Sequence, residues 1–377
     1  MSLTLAPAPV LANILDAIGH TPLLRLRLRG VPDGVELWGK CEWFNPGGSV
    51  KDRTALSIVT EGERRGALRP GRTIIDSSSG NTAVGLALVG RAKGYPVELV
   101  MPESVGEERQ RLCRAYGATI VFTDPLMGSD GAILKVRELV AAEPERCFYA
   151  DQYRNPANPL AHYRTTGPEI WEQTGGRVTH FVAGLGTSGT IVGTARYLHE
   201  RNPRVRVVAA EPDHAMHGLE GLKHMASAMV PEIYEARAHD EKISVVTEDA
   251  YAVCAEVLGG DGLLVGHSAG AALWAAREVA RTLRSGVVVA LLPDGGERYL
   301  GGDKPKASGG CGAPPGFKSE RGIHSRASRD ASRCRSRGPS WSRSWATRAP
   351  VIPSRCAACC SGATASARAE WTGWCPP

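Results

Sequence analysis

The stretch Asn45-Pro46-Gly47-Gly48-Ser49-Val50-Lys51-Asp52-Arg53 is where the sequence passes from short strand patterns into alternating strands and helices. Its Pro-Gly-Gly turn needs residues that tolerate unusual φ angles, and a helical pattern begins directly at Lys51. A helix start offers free N–H groups and the positive end of the helix dipole. A lysine that is buried or crowded by positive charge loses its proton more easily and then attacks carbonyl groups. Lys51 is therefore a candidate catalytic residue, and a surface lysine is the plainer alternative.

Outward from this turn, strand and helix patterns alternate. Before it, the sequence predicts a short turn at 13–18 and strands at 23–28 and 35–42. After it, the predicted order is helix 51–65, strand 73–76, helix 83–93, strand 97–101, helix 107–116, strand 119–123, helix 132–142 and strand 147–150. Such alternation predicts a parallel, doubly wound sheet.

The same alternation of strands and helices resumes after a polar link at 151–159. Here the predicted order is helix 161–173, strand 179–183, helix 190–200, strand 205–210, an irregular segment at 212–242, helix 248–259, a turn at 266–270, helix 271–284 and strand 287–292. Two α/β units packed together leave a cleft between them, where ligands usually bind.

The composition changes sharply near residue 303. Residues 1–303 carry 32 Lys and Arg against 36 Asp and Glu, whereas residues 304–377 carry 13 against 3. The net charge of +6 of the whole chain is therefore a property of the tail. The body has no basic stripe of the kind that binds nucleic acid, so we expect no nucleic-acid partner.

Cysteine use and targeting patterns favour a cytoplasmic protein. The body cysteines Cys41, Cys113, Cys147 and Cys254 lack metal-ligand spacing, so we predict reduced thiols and no metal site. The N-terminus has no basic region followed by an apolar run, and no stretch reaches the ~18 apolar residues of a membrane span. We therefore expect no signal peptide and no membrane partner.

The tail at 304–377 is rich in Arg, Ser, Cys, Pro, Gly and Trp and lacks an apolar period, which predicts disorder. Its pattern Cys356-Ala357-Ala358-Cys359 has no partner pair, so it does not indicate a metal site. Two interpretations remain open, a basic interaction arm and an out-of-frame extension. We prefer the second.

A glycine-rich loop lies between a predicted strand and a predicted helix. The segment Gly184–Gly189 matches GxGxxG, and Glu211 follows at a spacing that suits a dinucleotide site. However, Thr187, Ser188 and Thr190 place a run of hydroxyls at the helix start, which suits a terminal phosphate monoester better. The loop therefore predicts a phosphate site, with a dinucleotide site as the weaker alternative and a plain tight turn as a third.

Two further polar turns precede predicted helices. Ser78-Ser79-Gly80-Asn81-Thr82 can hold a carboxylate through backbone N–H groups, although an ordinary helix cap explains it equally well. The turn Gly266-His267-Ser268-Ala269-Gly270 is by itself more typical of a cap than of a binding site.

Together these motifs resemble the β-family of pyridoxal-phosphate enzymes, namely cysteine synthase (O-acetylserine sulfhydrylase) and the catalytic core of cystathionine β-synthase. The resemblance covers residues 11 to 300. The matching motifs occur in the family's order: Gly19-His20-Thr21-Pro22, the Lys51 stretch, Ser79-Gly80-Asn81-Thr82, Asp151-Gln152-Tyr153 through Asn158-Pro159, Gly186 to Thr190, and Asp294-Gly295-Gly296-Glu297-Arg298-Tyr299.

The resemblance implies pyridoxal 5'-phosphate as the cofactor. It implies that Lys51 binds this cofactor covalently and then removes the substrate Cα proton. Asn81 is expected to hydrogen-bond the ring hydroxyl, and Ser268 to face the pyridine nitrogen. A neutral hydroxyl there makes the ring a milder electron sink than an aspartate would, which favours loss of a β-leaving group. The phosphate is expected to bind Gly186, Thr187, Ser188, Gly189 and Thr190.

The resemblance also implies a substrate site and a fold. The substrate carboxylate is expected to bind a closing loop and a glutamine, through Ser78, Ser79, Gly80, Thr82 and Gln152. The implied fold is the tryptophan synthase β-like fold type II, an α/β fold with two doubly wound parallel-sheet domains. The smaller domain, with the carboxylate loop, would span 45–155, and the larger one, with the phosphate loop, 11–44 plus 156–303. The family also implies a homodimer.

The implied reaction is β-replacement on an amino-acid substrate with a sulfur donor, which makes the chain a cysteine synthase. O-acetylserine with sulfide is the preferred pair, while O-phosphoserine and a protein-carried thiocarboxylate stay open. Lys223–Met229 replaces the usual glycine-rich loop of cysteine synthases and should reshape the pocket for leaving group and nucleophile. Lys40–Trp43 and the run 151–163 lean toward cystathionine β-synthase, so serine plus homocysteine is the nearest alternative.

Two alternatives come from other classes. An NAD-dependent oxidoreductase would use the GxGxxG loop but has no need for Lys51 in its glycine turn. A non-catalytic binding protein would keep the fold and use the basic tail as its contact arm. A nicotinamide requirement would support the first, and loss of partner binding on truncation after Asp303 would support the second.

Overall fold

Short runs of aliphatic residues alternate with amphipathic segments over residues 10–300, the part of the chain that this computed structural model describes. Within this range they form ten β-strands and nine α-helices. The predicted disordered tail at 304–377 lies outside the described residues. Of the helices between residues 10 and 300, none combines the length and hydropathy that crossing a membrane requires.

The strands are short and rich in Val, Ile, Leu and Ala. In chain order they are β1 Leu23–Leu26, β2 Val35–Cys41, β3 Thr73–Ser77, β4 Val97–Pro102, β5 Thr119–Thr123, β6 Cys147–Tyr149, β7 His180–Gly184, β8 Arg206–Pro212, β9 Glu241–Val245 and β10 Gly286–Leu292. The helices between them are α1 Lys51–Arg64, α2 Asn81–Lys93, α3 Glu107–Ala115, α4 Gly128–Ala142, α5 Ala157–Arg164, α6 Thr166–Gln173, α7 Gly189–Arg201, α8 Thr247–Asp261 and α9 His267–Arg281.

The smaller sheet is contiguous in the chain. Its order is β5-β4-β3-β6, and all its pairs are parallel. Its inner strands β3 and β4 are buried on both faces because α1, α2 and α3 pack on one side and α4 on the other, whereas the edge strand β5 is partly exposed. A strand that is buried on both faces has a nearly continuous apolar sequence, and this is the pattern of Ile74–Ile75 and Val97–Met101.

The larger sheet is assembled from both ends of the described chain. Its order is β1-β2-β10-β7-β8-β9, so the early strand β2 pairs in parallel with the last strand, β10. Helices α8 and α9 cover one face, and α6 and α7 cover the other. All pairs are parallel except β1 with β2, which is an antiparallel edge pair.

The predicted class, an α/β fold with two helix-covered parallel sheets, is confirmed, with one antiparallel edge strand added. The four strands of the smaller sheet lie within 45–155, and the other six lie within 11–44 and 156–303. The division into two domains at these boundaries stays a prediction.

Three element predictions are wrong in detail. The predicted helix 161–173 is two helices, α5 and α6, that meet at Thr165, because Pro168 favours the first turn of a new helix over a helix interior. Strand β9 was not predicted: it begins at the end of the segment 212–242 that was predicted as irregular, and Ile243 and Val245 are its only apolar residues. The predicted turn 266–270 is largely the first turn of α9, which starts at His267.

Candidate active site

The carboxyl ends of strands from both sheets face one cavity of about 620 Å³. Its lining includes residues just after β3, β4, β7 and β10, the edge where parallel sheets usually bind ligands. Most residues that the sequence predicted as site residues line it: Lys51, Ser78, Ser79, Gly80, Asn81, Thr82, Gln152, Gly186, Thr187, Ser188, Thr190 and Ser268. Gly189 lies next to them as the first residue of α7 but does not itself line the cavity.

Lys51 is the first residue of α1, and its position is fixed by the turn before it. Gly48 has φ of +77°, a conformation that glycine adopts without strain. The Val50 N–H then donates to the Pro293 carbonyl at 2.9 Å, and the Lys51 N–H donates to Ser49 Oγ at 3.2 Å. These bonds tie the turn to the end of β10 and place the lysine in the cavity.

The ammonium of Lys51 forms no hydrogen bond or ion pair with any residue between 10 and 300. Burial lowers the pKa of Lys51, while the charges of Asp294 and Glu42 act in the opposite direction. A lysine with a lowered pKa holds more of the neutral amine, which is the form that attacks a carbonyl carbon. The structure thus supplies the desolvation that the sequence argument required.

Asp52, the next residue in α1, is fully buried beside the same turn. Its Oδ2 accepts a hydrogen bond from the Gly47 N–H at 2.6 Å, while Oδ1 has no partner among the described residues. Burial raises the pKa of Asp52 to about 7, although the Gly47 hydrogen bond and the charge of Arg298 oppose the shift. This carboxyl group therefore titrates near neutral pH.

Because Asp52 binds its proton more tightly in the folded chain than the ordinary carboxyl of the unfolded chain does, folding takes up a proton between about pH 4 and pH 7. The free energy of unfolding should therefore fall as the pH rises through this window, at up to about 1.4 kcal/mol per pH unit from this group. Asp52→Asn should remove that contribution. Urea denaturation from pH 4.5 to 8 measures it, and Glu138→Gln, an exposed carboxylate on α4, is the control. Equal pH slopes in wild type and Asp52→Asn would contradict the prediction.

The loop between β7 and α7 is built to hold an anion. The backbone N–H groups of Gly186, Thr187, Ser188, Gly189 and Thr190 have no hydrogen-bond partner among residues 10–300. Ser188 has φ of +70°, a left-handed conformation that is costly for a residue with a side chain. Successive N–H groups in such a turn at a helix start form a nest for a phosphate.

The glycines of this loop leave room for close packing. A Cβ at Gly189 would lie 2.0 Å from Asn158 Oδ1, and one at Gly186 would lie 2.3 Å from the Gly221 carbonyl oxygen. Any larger residue at either position would push the loop away from its neighbours. The packing of this loop against its neighbours therefore requires glycine at both positions, in addition to any requirement of a tight turn.

Two buried residues that the sequence analysis did not assign hold the hydroxyls of the loop. Asn158 Nδ2 donates to Thr187 Oγ1 at 3.1 Å, and His162 Nε2 lies 3.3 Å from Thr190 Oγ1. Burial and the nearby charges of Arg53 and Lys51 lower the pKa of His162 well below its usual range, so its ring is neutral. Because Thr187 Oγ1 accepts from Asn158, its proton is left to donate into the cavity.

The loop between β3 and α2 forms a second group of free donors. The N–H groups of Ser79, Asn81 and Thr82 have no partner among the described residues, while Ser78 Oγ accepts from the Ala83 N–H at 3.2 Å. Three free N–H groups at a helix start suit a carboxylate. This supports the carboxylate interpretation over the ordinary cap.

Gln152 occupies a different position from the one expected of a free substrate ligand. Its Oε1 accepts from Thr82 Oγ1 at 2.7 Å, and its Nε2 donates to the Ser77 carbonyl at 3.2 Å. Both ends of the side chain therefore bind the loop itself. Gln152 lines the cavity, but in this structure it holds the loop in shape, and its contact with substrate stays a prediction.

The cavity lining also includes charged residues to which the sequence analysis assigned no binding role. Arg109 Nη2 and Glu220 Oε2 form an ion pair at 2.7 Å, and the Arg109 guanidinium lies 5.5 Å from the ring centroid of Tyr299. Lys223 Nζ lies 5.1 Å from the ring centroid of Tyr153. No sequence motif pointed to these residues except the departure at Lys223–Met229.

Glu211 does not occupy the position that a dinucleotide site needs. Its Oε1 accepts from the Met225 N–H at 2.6 Å, and its Oε2 pairs with Lys242 Nζ at 2.6 Å. Both oxygens of this buried carboxylate therefore hold neighbouring parts of the chain in place. The contacts of Glu211 therefore favour an anion site over a dinucleotide site at the GxGxxG loop.

The donor set fits pyridoxal phosphate. The free amine of Lys51 would react with its aldehyde, the free N–H groups at 186–190 would hold its phosphate, and the Ser268 hydroxyl, which has no partner among residues 10–300, would be available to its ring nitrogen. Fold and donor set together fit the class of enzymes that use a phosphorylated aldehyde as cofactor.

Comparison with known proteins supports the same class of enzyme. The profile of the family described as pyridoxal-phosphate dependent enzyme matches residues 14–294. A cysteine synthase of Aquifex aeolicus is 52% identical over 295 residues, which are 76% of this chain and 90% of that protein. Cysteine synthase B of Salmonella typhimurium is 42% identical over 76% of this chain and 93% of that protein. The crystal structure of an Entamoeba histolytica cysteine synthase superposes with a TM-score of 0.76 at 36% identity, covering 80% of this chain and 93% of that one.

The chain therefore belongs to the family of pyridoxal-phosphate dependent enzymes. The resemblance inferred from the motifs is confirmed, and so is its cofactor.

Proposed function

We propose that this chain makes L-cysteine from O-acetylserine and sulfide, with acetate as the second product. The observation that carries the proposal is the meeting of three groups in one cavity: the Lys51 amine, the N–H cradle at 186–190 and the second set of N–H groups at Ser79–Thr82. The cysteine synthases to which the chain is similar support the same reaction.

When bound, pyridoxal phosphate withdraws electrons from the substrate Cα, which makes the Cα proton acidic and allows the β-substituent to leave. We assign the phosphate to the N–H groups and hydroxyls of 186–190, and the substrate carboxylate to the loop at 78–82. These two anchors orient the substrate with its Cα near Lys51. The neutral amine of Lys51 then takes the Cα proton, and burial, which lowers the pKa of Lys51, increases the share of this neutral form.

The test is an assay of the purified enzyme with O-acetylserine and sulfide, with cysteine as the measured product. Serine plus homocysteine, run in parallel, tests cystathionine formation. Cysteine from O-acetylserine, formed without nicotinamide, is the expected result. Cystathionine as the much faster product would move the chain to the nearest alternative. A reaction that requires NAD would overturn the proposal.

One observation favours a second activated serine, O-phosphoserine. Lys223 is half-buried in the cavity lining, and no carboxylate between residues 10 and 300 lies within 4.0 Å of its ammonium. Burial lowers the pKa of Lys223, and the charge of Asp130 acts in the opposite direction. An unpaired cation facing a cavity attracts an anion, and the phosphate of O-phosphoserine is one whereas the acetyl group is not.

Lys223→Met separates the two substrates. If Lys223 binds a phosphate leaving group, the variant should lose about 10- to 100-fold in kcat/KM for O-phosphoserine, since one charge-assisted hydrogen bond is worth about 1.5–3 kcal/mol. Its kcat/KM for O-acetylserine should change by less than about threefold. Lys135→Met is the control, since Lys135 is a partly exposed lysine on α4 that pairs with Glu138 and does not line the cavity. Equal losses with both substrates would reject the second candidate.

We also propose that the enzyme is a cytoplasmic homodimer. The family resemblance supports the dimer, and the free thiols of Cys41, Cys113, Cys147 and Cys254 support a reducing compartment. Light scattering on the purified protein tests the dimer, and a monomer mass would contradict it.

A further inference from the structure

The side-chain amide of Asn81 is held at both ends by ionic side chains. Its Nδ2 donates to Asp294 Oδ2 at 2.7 Å, and its Oδ1 accepts from Arg298 Nη1 at 2.6 Å. A carboxylate accepts hydrogen bonds and a guanidinium only donates them, so the amide can adopt one orientation and not its flipped form. The orientation of the Asn81 amide is therefore fixed by its two partners.

Asp294 is itself firmly placed. It is fully buried after β10, and its Oδ2 also accepts from the Tyr299 hydroxyl at 2.7 Å. Its Oδ1 has no hydrogen-bond partner among the described residues. A Cβ at Gly266 would lie 2.0 Å from that Oδ1, so only glycine at the start of α9 leaves room for the carboxylate.

Arg298 ties the same group to the turn that carries Lys51. Its Nη2 donates to the Gly47 carbonyl while Nη1 donates to Asn81. Asp294 and Arg298, which we call the Asn81 brace, therefore connect the start of α2, the end of β10 and the turn before α1. Burying a carboxylate with one unpartnered oxygen costs free energy, so we expect the Asn81 brace to have a function.

A side-chain amide carries two N–H bonds on its nitrogen. One of those of Asn81 is used by Asp294, and Asn81 lines the cavity, so the second is left for a ligand there. We propose that Asp294 is a positioning residue that directs the second N–H of Asn81 at the ring hydroxyl of the bound cofactor. This rests on the cofactor site of the proposed function.

A double-mutant cycle on the holoenzyme tests the inference. The variants are Asp294→Ala, Asn81→Ala and the two combined, with Asp294→Asn as a conservative variant. The readouts are the rate at which the holoenzyme loses cofactor into cofactor-free buffer and the position of its visible absorbance band. Neither readout depends on turnover.

Asp294→Ala and Asn81→Ala should each speed cofactor loss about tenfold, since each removes the same directed hydrogen bond. The double variant should be no faster than Asn81→Ala, because Asp294 acts through Asn81. Asp294→Asn keeps an acceptor oxygen for Asn81 and should stay within about threefold of wild type. If Asp294→Ala fails to fold, Asp294→Leu, which fills the space but has no acceptor for Asn81, takes its place in the cycle.

Asp52→Ala is the matched control, since Asp52 is an equally buried aspartate near Lys51 without a bond to Asn81. Any effect of this control should add to that of Asn81→Ala. Additive effects of Asp294→Ala and Asn81→Ala would overturn the inference and would indicate instead that Asp294 acts directly on Lys51. If the wild-type protein shows no lysine-dependent cofactor band at all, the proposed function fails. If the band is present but the cycle is additive, this inference alone fails.

Discussion

Replacing Lys51 with alanine should lower kcat for cysteine formation by at least about 10³-fold. The amine is expected both to hold the cofactor and to move the Cα proton, and a positioned acid–base group alone contributes about 10²–10⁴ in rate. Around the cavity, the described residues include one other lysine, Lys223, which lies against the ring of Tyr153. No other amine is therefore positioned to replace Lys51 at the turn.

Two measurements check this result. Steady-state assays compare Lys51→Ala with Lys93→Ala, a lysine at the end of α2 that pairs with Glu63 at 2.7 Å away from the cavity lining. Borohydride reduction of the wild-type holoenzyme should fix the cofactor covalently, and peptide mass analysis should find it on Lys51. A tag on another lysine, or more than a tenth of wild-type activity in Lys51→Ala, would contradict the assignment.

Replacing Arg53 with methionine should cost about 3–5 kcal/mol of unfolding free energy, the typical cost of leaving a buried charge unpaired. Arg53 is buried in α1, and its guanidinium binds Glu42 at 2.7 Å and Glu169 at 2.6 Å. Lys40 Nζ binds the other oxygen of Glu169 at 2.6 Å. Burial alone would raise the pKa of Glu169, but Arg53 and Lys40 outweigh it and lower that pKa to about 2.

Denaturant unfolding of Arg53→Met measures the cost, with Arg64→Met as the control on the same helix. Arg64 pairs with Glu61 but its side chain is 64% exposed, so its loss should change the free energy by less than about 1 kcal/mol. If Arg53→Met does not accumulate in folded form, Arg53→Lys keeps the charge but not the paired hydrogen bonds and should show a smaller loss. Equal effects of Arg53→Met and Arg64→Met would show that the buried network adds nothing.

The sequence predicted the parts of the site that are encoded locally. At Lys51 and at Gly186–Thr190, one short segment specifies both the backbone shape and the chemical groups, so a motif carries the information. The loop at 78–82 was ambiguous because a carboxylate nest and a helix cap use the same residues. Only its position in the cavity, with three free N–H groups, favours the nest.

The sequence could not predict groups that act through space. Asn81 and Asp294 are 213 positions apart in the chain, and nothing in either segment indicates that they bind each other. Asn158 lies in a quoted motif and His162 in a predicted helix. Their contacts with the loop at 186–190 form only when α5 packs on α7. Lys223 was noticed as a departure, yet its unpaired charge is a property of the folded cavity.

Strand β9 was missed for a different reason. Edge strands need few apolar residues because one face and one edge stay in water, so Glu241–Val245 reads as a polar segment. The break between α5 and α6 was missed because the sequence prediction joined the segments on both sides of Pro168 into one helix, whereas Pro168 acts on the backbone.

The parallel pairing of β2 with β10 sets an order on events during protein synthesis. The smaller sheet, residues 73–149, can pair as soon as its own segment leaves the ribosome, because its strands are close in sequence. The hairpin of β1 and β2 emerges earlier but must wait for residues 286–292 before its free edge is covered. We therefore expect the nascent chain to fold from its middle outward and its first hairpin to be the segment most exposed to chaperones and to misassembly.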